Sequence, residues 1–182
     1  MATTRIGIIA DTHMPPWDKQ IMSDVERVFE GVDLILHAGD MVTISVLDWL
    51  EGIAPVVGAL GNNDTHLPED GRLKRFQQLE QDGVSIALFH IYEPWEQPPA
   101  DFMKRHHALA SPPDVIIVGD THYDVIEERD GVLLINPGSP TSRRLRVDIP
   151  GTVAILTIED GIPSAEIVPL SIPNNGRQTV SL

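Results

Sequence analysis

The sequence predicts an α/β fold in which two β-sheets pack face to face and helices cover the outside. Three strand–helix units follow one another in the first third of the chain, a pattern that gives a parallel sheet with right-handed crossovers. The second half contains Asp-Gly turns between strand-like segments, which are typical of antiparallel hairpins. The 182 residues, 42% of them hydrophobic, suffice for one domain with a sizeable core.

In the first half, strands and helices alternate. Short apolar runs predict buried strands, whereas apolar residues spaced by three and four predict amphipathic helices. Gly31 and Gly52 end the two helices. The predicted segments are a strand at 5–10, a helix at 18–30, a strand at 33–38, a helix at 43–51 and a strand at 55–60.

The second half begins with a predicted hairpin around Asp82-Gly83. A Pro-rich loop follows, and the remaining segments are mostly strands. The predicted segments are strands at 73–79 and 84–89, a helix at 101–110, and strands at 115–119, 123–129, 132–136, 152–159 and 164–169. We expect a single domain over 1–172 and a loosely held tail at 173–182.

Polar side chains follow the predicted strands, at the sheet edge where α/β proteins gather functional groups. They are oxygen and imidazole ligands, suited to manganese, iron, zinc or magnesium. The set is Asp11, His13, Asp40, Asn62, His90, Asp120 and His122. Seven such groups are too many for one ion with open positions. Two ions that share a bridging carboxylate would use them all, and such a pair clamps the oxygens of an in-line phosphoryl displacement.

These motifs, in this order, resemble those of the calcineurin-like metallophosphoesterases. The matching motifs are Asp-x-His at 11–13, Gly-Asp at 39–40, Gly-Asn-x-Asp at 61–64, His90 at a strand end and Gly-x-x-His at 119–122. Asn-Pro-Gly-Ser at 136–139 further resembles the small bacterial and archaeal phosphodiesterase branch. The resemblance spans residues 5–146 and implies a four-layer α/β/β/α sandwich that hydrolyses a phosphoester.

The resemblance also implies roles for individual residues. It implies a first metal ion held by Asp11, His13 and His122, a second held by Asn62, His90 and Asp120, and Asp40 as the bridging ligand. Asp64 would orient its neighbours. The nucleophile would be a hydroxide between two divalent ions. We expect manganese, with iron, zinc, magnesium and nickel as alternatives.

Three positions depart from the family pattern. Asp120 replaces a histidine, so three carboxylates would face two divalent ions and leave a single net positive charge, which favours harder ions. Asp120 is either a ligand or points away from a weak second site. Ile91 replaces a flexible glycine, so His90 is either a ligand or a core histidine. Asn63 takes the position of a proton-donating histidine, and an amide cannot be a general acid, which favours good leaving groups.

Other polar residues give weaker signals. His37 is expected in the core or behind the ligands, and Trp95 either stacks on a base or packs its loop. The remaining candidates are solvated histidines and two arginines that either reach phosphate or form surface ion pairs: His66, His106, His107, Arg143 and Arg144.

The composition argues against several classes of partner and of functional site. A formal net charge of −14 disfavours nucleic acids and anionic membranes as partners. The absence of cysteine excludes disulfides and thiolate sites. Without a signal peptide or a long apolar run, we expect a cytoplasmic protein. Its expected partner is a small phosphoester substrate, and the edge of the hairpin at 73–90 could pair two chains into a homodimer.

The resulting hypothesis is an enzyme, a dinuclear metal-dependent phosphodiesterase. The alternative is a catalytically weak or metal-depleted scaffold, because the retromer scaffold subunit resembles this family in fold. A scaffold has no physical need to keep three histidines and three acids around one cleft.

Overall fold

The computed structural model describes residues 3–13, 19–107, 109–141 and 150–171. The strands and helices, in chain order, are β1 (Thr3–Ile9), α1 (Lys19–Val28), β2 (Leu34–His37), α2 (Ser45–Glu51), β3 (Val56–Ala59), β4 (Leu73–Lys74), β5 (Phe76–Gln81), β6 (Val84–Phe89), α3 (Pro99–His107), β7 (Val115–Ile117), β8 (Asp124–Arg129), β9 (Val132–Pro137), β10 (Thr152–Glu159) and β11 (Ile162–Pro169). A short 3₁₀ helix, Asn62–Asp64, follows β3.

The strands form two mixed sheets, which confirms the predicted α/β fold. The first sheet has the order β11-β10-β1-β2-β3-β4, and the second has the order β5-β6-β7-β9-β8. β1, β2, β3 and β4 are parallel to one another, whereas β10 and β11 run antiparallel to their neighbours. Parallel pairing follows from the strand–helix units, because a crossover helix returns the chain to the same end of the sheet.

Side-chain alternation along β1 explains how the layers stack. Ile6 and Ile8 point into the core between the sheets, where they join residues of the second sheet such as Ile86. Ile9 points to the opposite face and packs with Phe29 in the core beneath α1 and α2. A third apolar cluster, which includes Phe89, Phe102 and Met103, joins the second sheet to α3. Three apolar cores therefore separate four layers.

Three hairpin turns share the dipeptide Asp-Gly, and both residues of each have positive φ: Asp82-Gly83, Asp130-Gly131 and Asp160-Gly161. Positive φ at both central positions defines the type I′ turn, which suits the twist of a two-stranded ribbon. These turns set the registers of the β5–β6, β8–β9 and β10–β11 pairs.

The predicted strand at 73–79 is wrong in one respect, because the chain changes sheets within it. Leu73 pairs with Gly58 of the first sheet, whereas Phe76 pairs with Phe89 of the second. Arg75 is the residue between the two short strands. The predicted helix at 101–110 begins and ends earlier, as α3.

Several predictions lie outside the described residues: the turn at 14–17, Arg143, Arg144, the side chain of His107 and the tail at 173–182. None of the helices in the described part of the chain has the length and apolar character that a membrane crossing requires.

The close contact of β1 with Phe29, the residue that follows α1, generates a stability prediction. A Cβ at Gly7 would lie 2.9 Å from ring atoms of Phe29, which is fully buried. We expect Gly7→Ala to lower the free energy of unfolding by about 1–3 kcal/mol, because the packed ring must shift. Urea unfolding measures the change.

Gly71→Ala is the matched control, because a Cβ there meets nothing within 4 Å. Its free energy of unfolding should stay within about 0.5 kcal/mol of the wild type. Equal stability of the two variants would contradict the packing described for β1 and α1.

Candidate metal centre

Ligand-bearing loops follow the carboxyl ends of five strands. β1, β2 and β3 are neighbours in the first sheet, and β6 and β7 are neighbours in the second. Because parallel strands end at a common edge, the loops after them meet. They carry the seven predicted ligands: Asp11 and His13 after β1, Asp40 after β2, Asn62 after β3, His90 after β6, and Asp120 and His122 after β7.

The structure brings all seven side chains together. The contacts that link them are His90 Nε2 to Asn62 Oδ1 at 3.0 Å, His13 Nε2 to His122 Nε2 at 3.2 Å, His122 Nε2 to Asp11 Oδ1 at 3.4 Å, His90 Nε2 to Asp40 Oδ1 at 3.4 Å and His90 Nε2 to Asp120 Oδ1 at 3.8 Å. Asp120 thus faces the cluster. That each side chain binds metal stays a prediction.

Two groups of three side chains could each hold a metal ion. The first is Asp11, His13 and His122, and the second is Asp11, Asp40 and His90, with ligand atoms within 4.8 Å of one another in each group. Both groups, found among the described residues, use Asp11, whereas the family resemblance implied Asp40 as the bridging ligand. The two carboxylates lie at the junction of the groups.

The hydrogen bonding of one oxygen of Asp11 indicates that a cation fits this cluster. Asp11 is fully buried, and its Oδ2 accepts the backbone N–H of Asp120 at 3.0 Å. Its Oδ1 has no hydrogen-bond partner among the described residues. A buried carboxylate oxygen without a partner is costly. The histidines around Oδ1 supply further nitrogen ligands, so the donor set fits a divalent metal ion.

Asp40 presents its two oxygens to different histidines. Oδ2 lies 3.8 Å from His13 Nε2, and Oδ1 lies 3.4 Å from His90 Nε2. Asn63 donates its backbone N–H to Oδ1 at 2.9 Å and its side-chain amide to Oδ2 at 2.5 Å. Burial opposes ionisation, but the hydrogen bonds from His90 and Asn63 outweigh it and hold the pKa of Asp40 well below its usual range. Asn63 therefore fixes this carboxylate.

His90 is oriented by its backbone contact. Its Nδ1 lies 2.7 Å from the carbonyl oxygen of Ala38, and because a carbonyl only accepts, Nδ1 carries the proton and Nε2 faces the carboxylates. Burial opposes protonation, but the hydrogen bond to Asp40 and the charge of Asp11 raise the pKa of His90 to about 9. The site therefore attracts a positive charge. Ile91 has no positive φ and points outward, 43% exposed.

The ligand loops adopt an unusual backbone conformation. Five of the predicted ligands have φ in the left-handed region: Asp11 at 53°, His13 at 44°, Asp40 at 59°, Asp120 at 69° and His122 at 59°. Val42, a β-branched residue, also has a φ of 70°. Each such residue costs about 1–2 kcal/mol, and backbone strain of this kind clusters at functional sites.

Glycines let the loops approach the ligands closely. A Cβ at Gly39 would lie 2.6 Å from Nδ1 of His90, and a Cβ at Gly119 would lie 2.8 Å from Oδ2 of Asp11. A Cβ at Gly61 would collide with the carboxylate of Asp40. The Gly-Asp and Gly-Asn spacings in the sequence therefore reflect a steric requirement as well as ligand order.

Asp64 holds two ligand loops together without facing the histidines. Its carboxylate accepts three backbone N–H groups: Asp40 at 2.8 Å, Val42 at 2.8 Å and Gly61 at 2.9 Å. The side chain is almost fully buried. Asp64 thus connects the backbones of two ligand loops, and its orienting role toward bound metal stays a prediction.

His37 performs a similar function behind the first loop. Its Nδ1 accepts the N–H of Gly39 at 3.1 Å, so Nε2 carries the proton and donates to Thr12 Oγ1 at 3.2 Å. Complete burial lowers the pKa of His37 to about 4, which keeps the ring neutral. The sequence left open whether His37 lies in the core or behind the ligands, and it contained no signal for Thr12.

The segment 136–141 fixes the other two ligand loops. Asn136 donates its amide to Gly119 O at 2.8 Å and to Thr121 Oγ1 at 3.1 Å. Ser139 Oγ donates to Asp11 O at 2.7 Å, and Thr141 Oγ1 donates to Thr12 O at 2.6 Å. The Asn-Pro-Gly-Ser motif is therefore a backbone clamp. Sequence reasoning missed Thr141, because nothing local distinguishes it.

The remaining candidates among the described residues contact groups other than the predicted ligands. Trp95 donates Nε1 to Glu127 at 3.0 Å, and the guanidinium of Arg129 lies 5.6 Å from its ring centre, so this side chain packs its loop against β8. His66 donates Nε2 to the carbonyl of Val42 at 3.0 Å, and His106 stacks on Phe102. Both histidines are exposed, as expected.

Comparison with known proteins gives consistent results. The model of the calcineurin-like phosphoesterase superfamily domain matches residues 4–161. A probable metallophosphoesterase of Methanothermobacter thermautotrophicus is 36% identical over 169 residues, which cover 92% of this chain and 94% of that protein.

Two solved structures are similar in fold. A novel archaeal phosphodiesterase has a TM-score of 0.64 and 26% identity, over 91% of this chain and 100% of the other. Vacuolar protein sorting 29 from Cryptosporidium parvum has a TM-score of 0.70 and 19% identity, over 93% and 98% of the two chains.

The three hydrogen bonds of Asp64 generate a prediction. Asp64→Asn should lower the free energy of unfolding by about 2–3 kcal/mol, because its NH₂ group replaces an acceptor that faces backbone donors. Chemical denaturation measures this change. Manganese affinity should also fall, because the loop that carries Asp40 loosens.

Asp33→Asn is the matched control, since Asp33 is an exposed carboxylate that accepts one backbone N–H, from Arg5 at 2.8 Å. This variant should lose less than about 1 kcal/mol. If the two variants lost the same amount of stability, the role assigned to Asp64 would be wrong.

Proposed function

Because the chain belongs to the calcineurin-like phosphoesterase superfamily, we propose that it is a dinuclear metal-dependent phosphodiesterase. Its proposed substrate is a small phosphoester. The name of the archaeal phosphodiesterase with the same fold supports the diester specificity. The net charge of −14 supports a small substrate over a nucleic acid.

The observation that carries the proposal is the buried Oδ1 of Asp11, which has no hydrogen-bond partner in the described part of the chain. It lies 3.4 Å from His122 Nε2, 3.9 Å from His13 Nε2 and 4.0 Å from His90 Nε2. Four groups that prefer a shared cation thus point at one small volume. Asp11, His13 and His122 would hold one ion, and Asp40, Asn62, His90 and Asp120 would complete the site of the other. We propose manganese, given the oxygen-rich donor set.

When bound, two divalent ions would lower the pKa of a bound water molecule, which would serve as the nucleophile. They would also place positive charge next to the phosphoryl oxygens. The residues of the chain hold the ligand side chains in position. Asn63 holds both oxygens of Asp40, so the carboxylate keeps a fixed orientation. The partly exposed side chains of His13 and Asp120 mark the face that a substrate approaches.

The same contacts indicate which kind of leaving group the site favours. The side-chain amide of Asn63 donates to Asp40, and an amide has no acidic proton to give. Protonation of the leaving oxygen then falls to water. Substrates whose leaving group needs no protonation, such as aryl esters, should react fastest.

Turnover of bis(4-nitrophenyl) phosphate with added manganese tests the proposal. We expect release of 4-nitrophenol by the wild-type chain, and a loss of more than about 100-fold in kcat/KM for Asp40→Asn, because even neighbours of metal ligands typically contribute 10–100-fold. Asp33→Asn makes the same charge change away from the site and should keep full activity. If the wild type and Asp40→Asn both hydrolysed the substrate no faster than the uncatalysed rate, an enzymatic function would be contradicted and the scaffold alternative favoured.

The second metal site generates a separate prediction. Elemental analysis of protein dialysed against manganese should give about two ions per chain for the wild type and about one for Asp120→Ala. Asp120→His should restore the second ion, because imidazole also binds manganese. Asp101→Ala, which removes an exposed carboxylate on α3, should retain both. Two ions in Asp120→Ala would show that Asp120 is not a ligand.

A further inference from the structure

We infer that Arg75 binds a second anionic group of the substrate, carried by the ester substituent, in a groove beside the candidate metal centre. This inference rests on the proposed phosphodiesterase function and specifies its substrate class. The occupant would be a diester whose substituent has an apolar portion that ends in a carboxylate or a phosphate.

The groove is a small cavity that opens directly onto the predicted ligands. Its volume is about 200 Å³, and its lining consists of Leu60, Gly61, Asn62, Arg75, Phe89, His90 and Ile91. At about 30 Å³ of liquid volume per water molecule, it holds a substituent of several non-hydrogen atoms. A phosphoryl group at Asn62 and His90 would therefore direct one of its substituents toward Arg75.

The backbone around Arg75 is fixed although its side chain is exposed. Leu60 N–H donates to the carbonyl of Lys74 at 3.0 Å, on one side of Arg75. Phe76, on the other side, pairs with Phe89. Arg75 therefore lies where the chain crosses between the sheets, next to β3 and β6, the strands that precede Asn62 and His90. Its position relative to the centre is set by both sheets.

Arg75 differs from its neighbour Arg72 in its charge environment. Arg72 contacts the carboxylates of Asp48, Glu51 and Asp70 at 2.6–2.8 Å. Arg75 has no hydrogen bond or ion pair with any described residue. In a chain with 27 acidic and 13 basic residues, carboxylates are abundant, and this guanidinium is still open to a ligand.

The groove is the side of Arg75 that suits an anion. Among the described residues, its lining contains no carboxylate. A larger cavity of about 640 Å³ on the other side, which Lys74 and Arg75 also line, contains Asp64, Glu69 and Asp70. An anion would be repelled there. In the groove, the guanidinium can bind a carboxylate or a phosphate through two parallel hydrogen bonds.

Apolar side chains define the rest of the substituent. Leu60, Phe89 and Ile91 line the groove between its polar ends, and Ile91 is 43% exposed. A short aliphatic or aromatic linker would cover this surface.

Equilibrium binding tests the inference independently of turnover. The manganese-loaded full chain is titrated by calorimetry with ethylphosphonate and with 2-carboxyethylphosphonate, which differ by one carboxylate. We expect the wild type to bind the carboxylate compound about tenfold more tightly, as one charge-assisted hydrogen-bonded pair provides. Arg75→Gln should lose this preference, and Arg75→Lys should keep part of it, because an ammonium group cannot form the paired hydrogen bonds.

Lys74→Gln is the matched control. It removes the same charge from the neighbouring residue, which lines the larger cavity and not the groove, so the tenfold preference should persist. Equal affinities of the wild type for the two compounds, or a preference that survives in Arg75→Gln, would overturn the inference. Since Arg75 is exposed, Arg75→Gln should unfold at the wild-type urea concentration, which separates a binding defect from a folding defect.

A kinetic measurement separates this inference from the proposed function. Ethyl and 2-carboxyethyl 4-nitrophenyl phosphates share a leaving group, so Arg75→Gln should lower the kcat/KM of the carboxyethyl ester relative to that of the ethyl ester about tenfold. If neither ester reacts but the binding preference depends on Arg75, the anion subsite stands and the proposed function fails. If both react with a ratio that Arg75→Gln leaves unchanged, the proposed function stands and the inference fails.

Discussion

The burial of acidic side chains at one sheet edge is the constraint on which the candidate site depends. Asp11, Asp40 and Asp64 are all at most 2% exposed. A buried carboxylate is stable only where hydrogen-bond donors or cations surround it. Asp64 is satisfied by three backbone N–H groups, and Asp40 is held by Asn63 and His90. Asp11 retains one oxygen that accepts no hydrogen bond from the residues that the structure describes. The cluster is therefore electrostatically incomplete, and divalent cations are the natural complement to its oxygen and imidazole atoms.

The same edge combines strain with rigid support. Five predicted ligands have a left-handed backbone, which each residue adopts at a cost. The strands before them are buried in three apolar cores, and five polar side chains bind the loop backbones: Asp64, His37, Asn136, Ser139 and Thr141. Such support holds ligands in a fixed geometry before a metal ion arrives, which raises affinity and restricts the metals that fit.

The sequence predicted the parts of the structure that depend on interactions between residues close to one another in the chain. Short apolar runs predicted β1 and β2, the spacing of apolar residues predicted α1, and Asp-Gly dipeptides predicted hairpin turns, because each depends on nearby residues. Because the predicted ligands directly follow strands, and parallel strands end at a common edge of the sheet, the sequence also predicted that these side chains converge. The crossing at Arg75 was missed, because the run at 73–79 has no turn residue and only pairing with Gly58 and Phe89 divides it. The contact of Asn63 with Asp40 and the clamp formed by Thr141 depend on residues far apart in the chain, so no spacing revealed them.

The location of bound metal tests the account most directly. Anomalous diffraction from crystals grown with manganese would show where the ions bind without reference to activity. The account predicts two peaks about 3.5–4 Å apart, both within coordination distance of carboxylate oxygens of Asp11 or Asp40. Ordered density for all seven side chains with no anomalous peak between them, or manganese bound elsewhere on the surface, would contradict it.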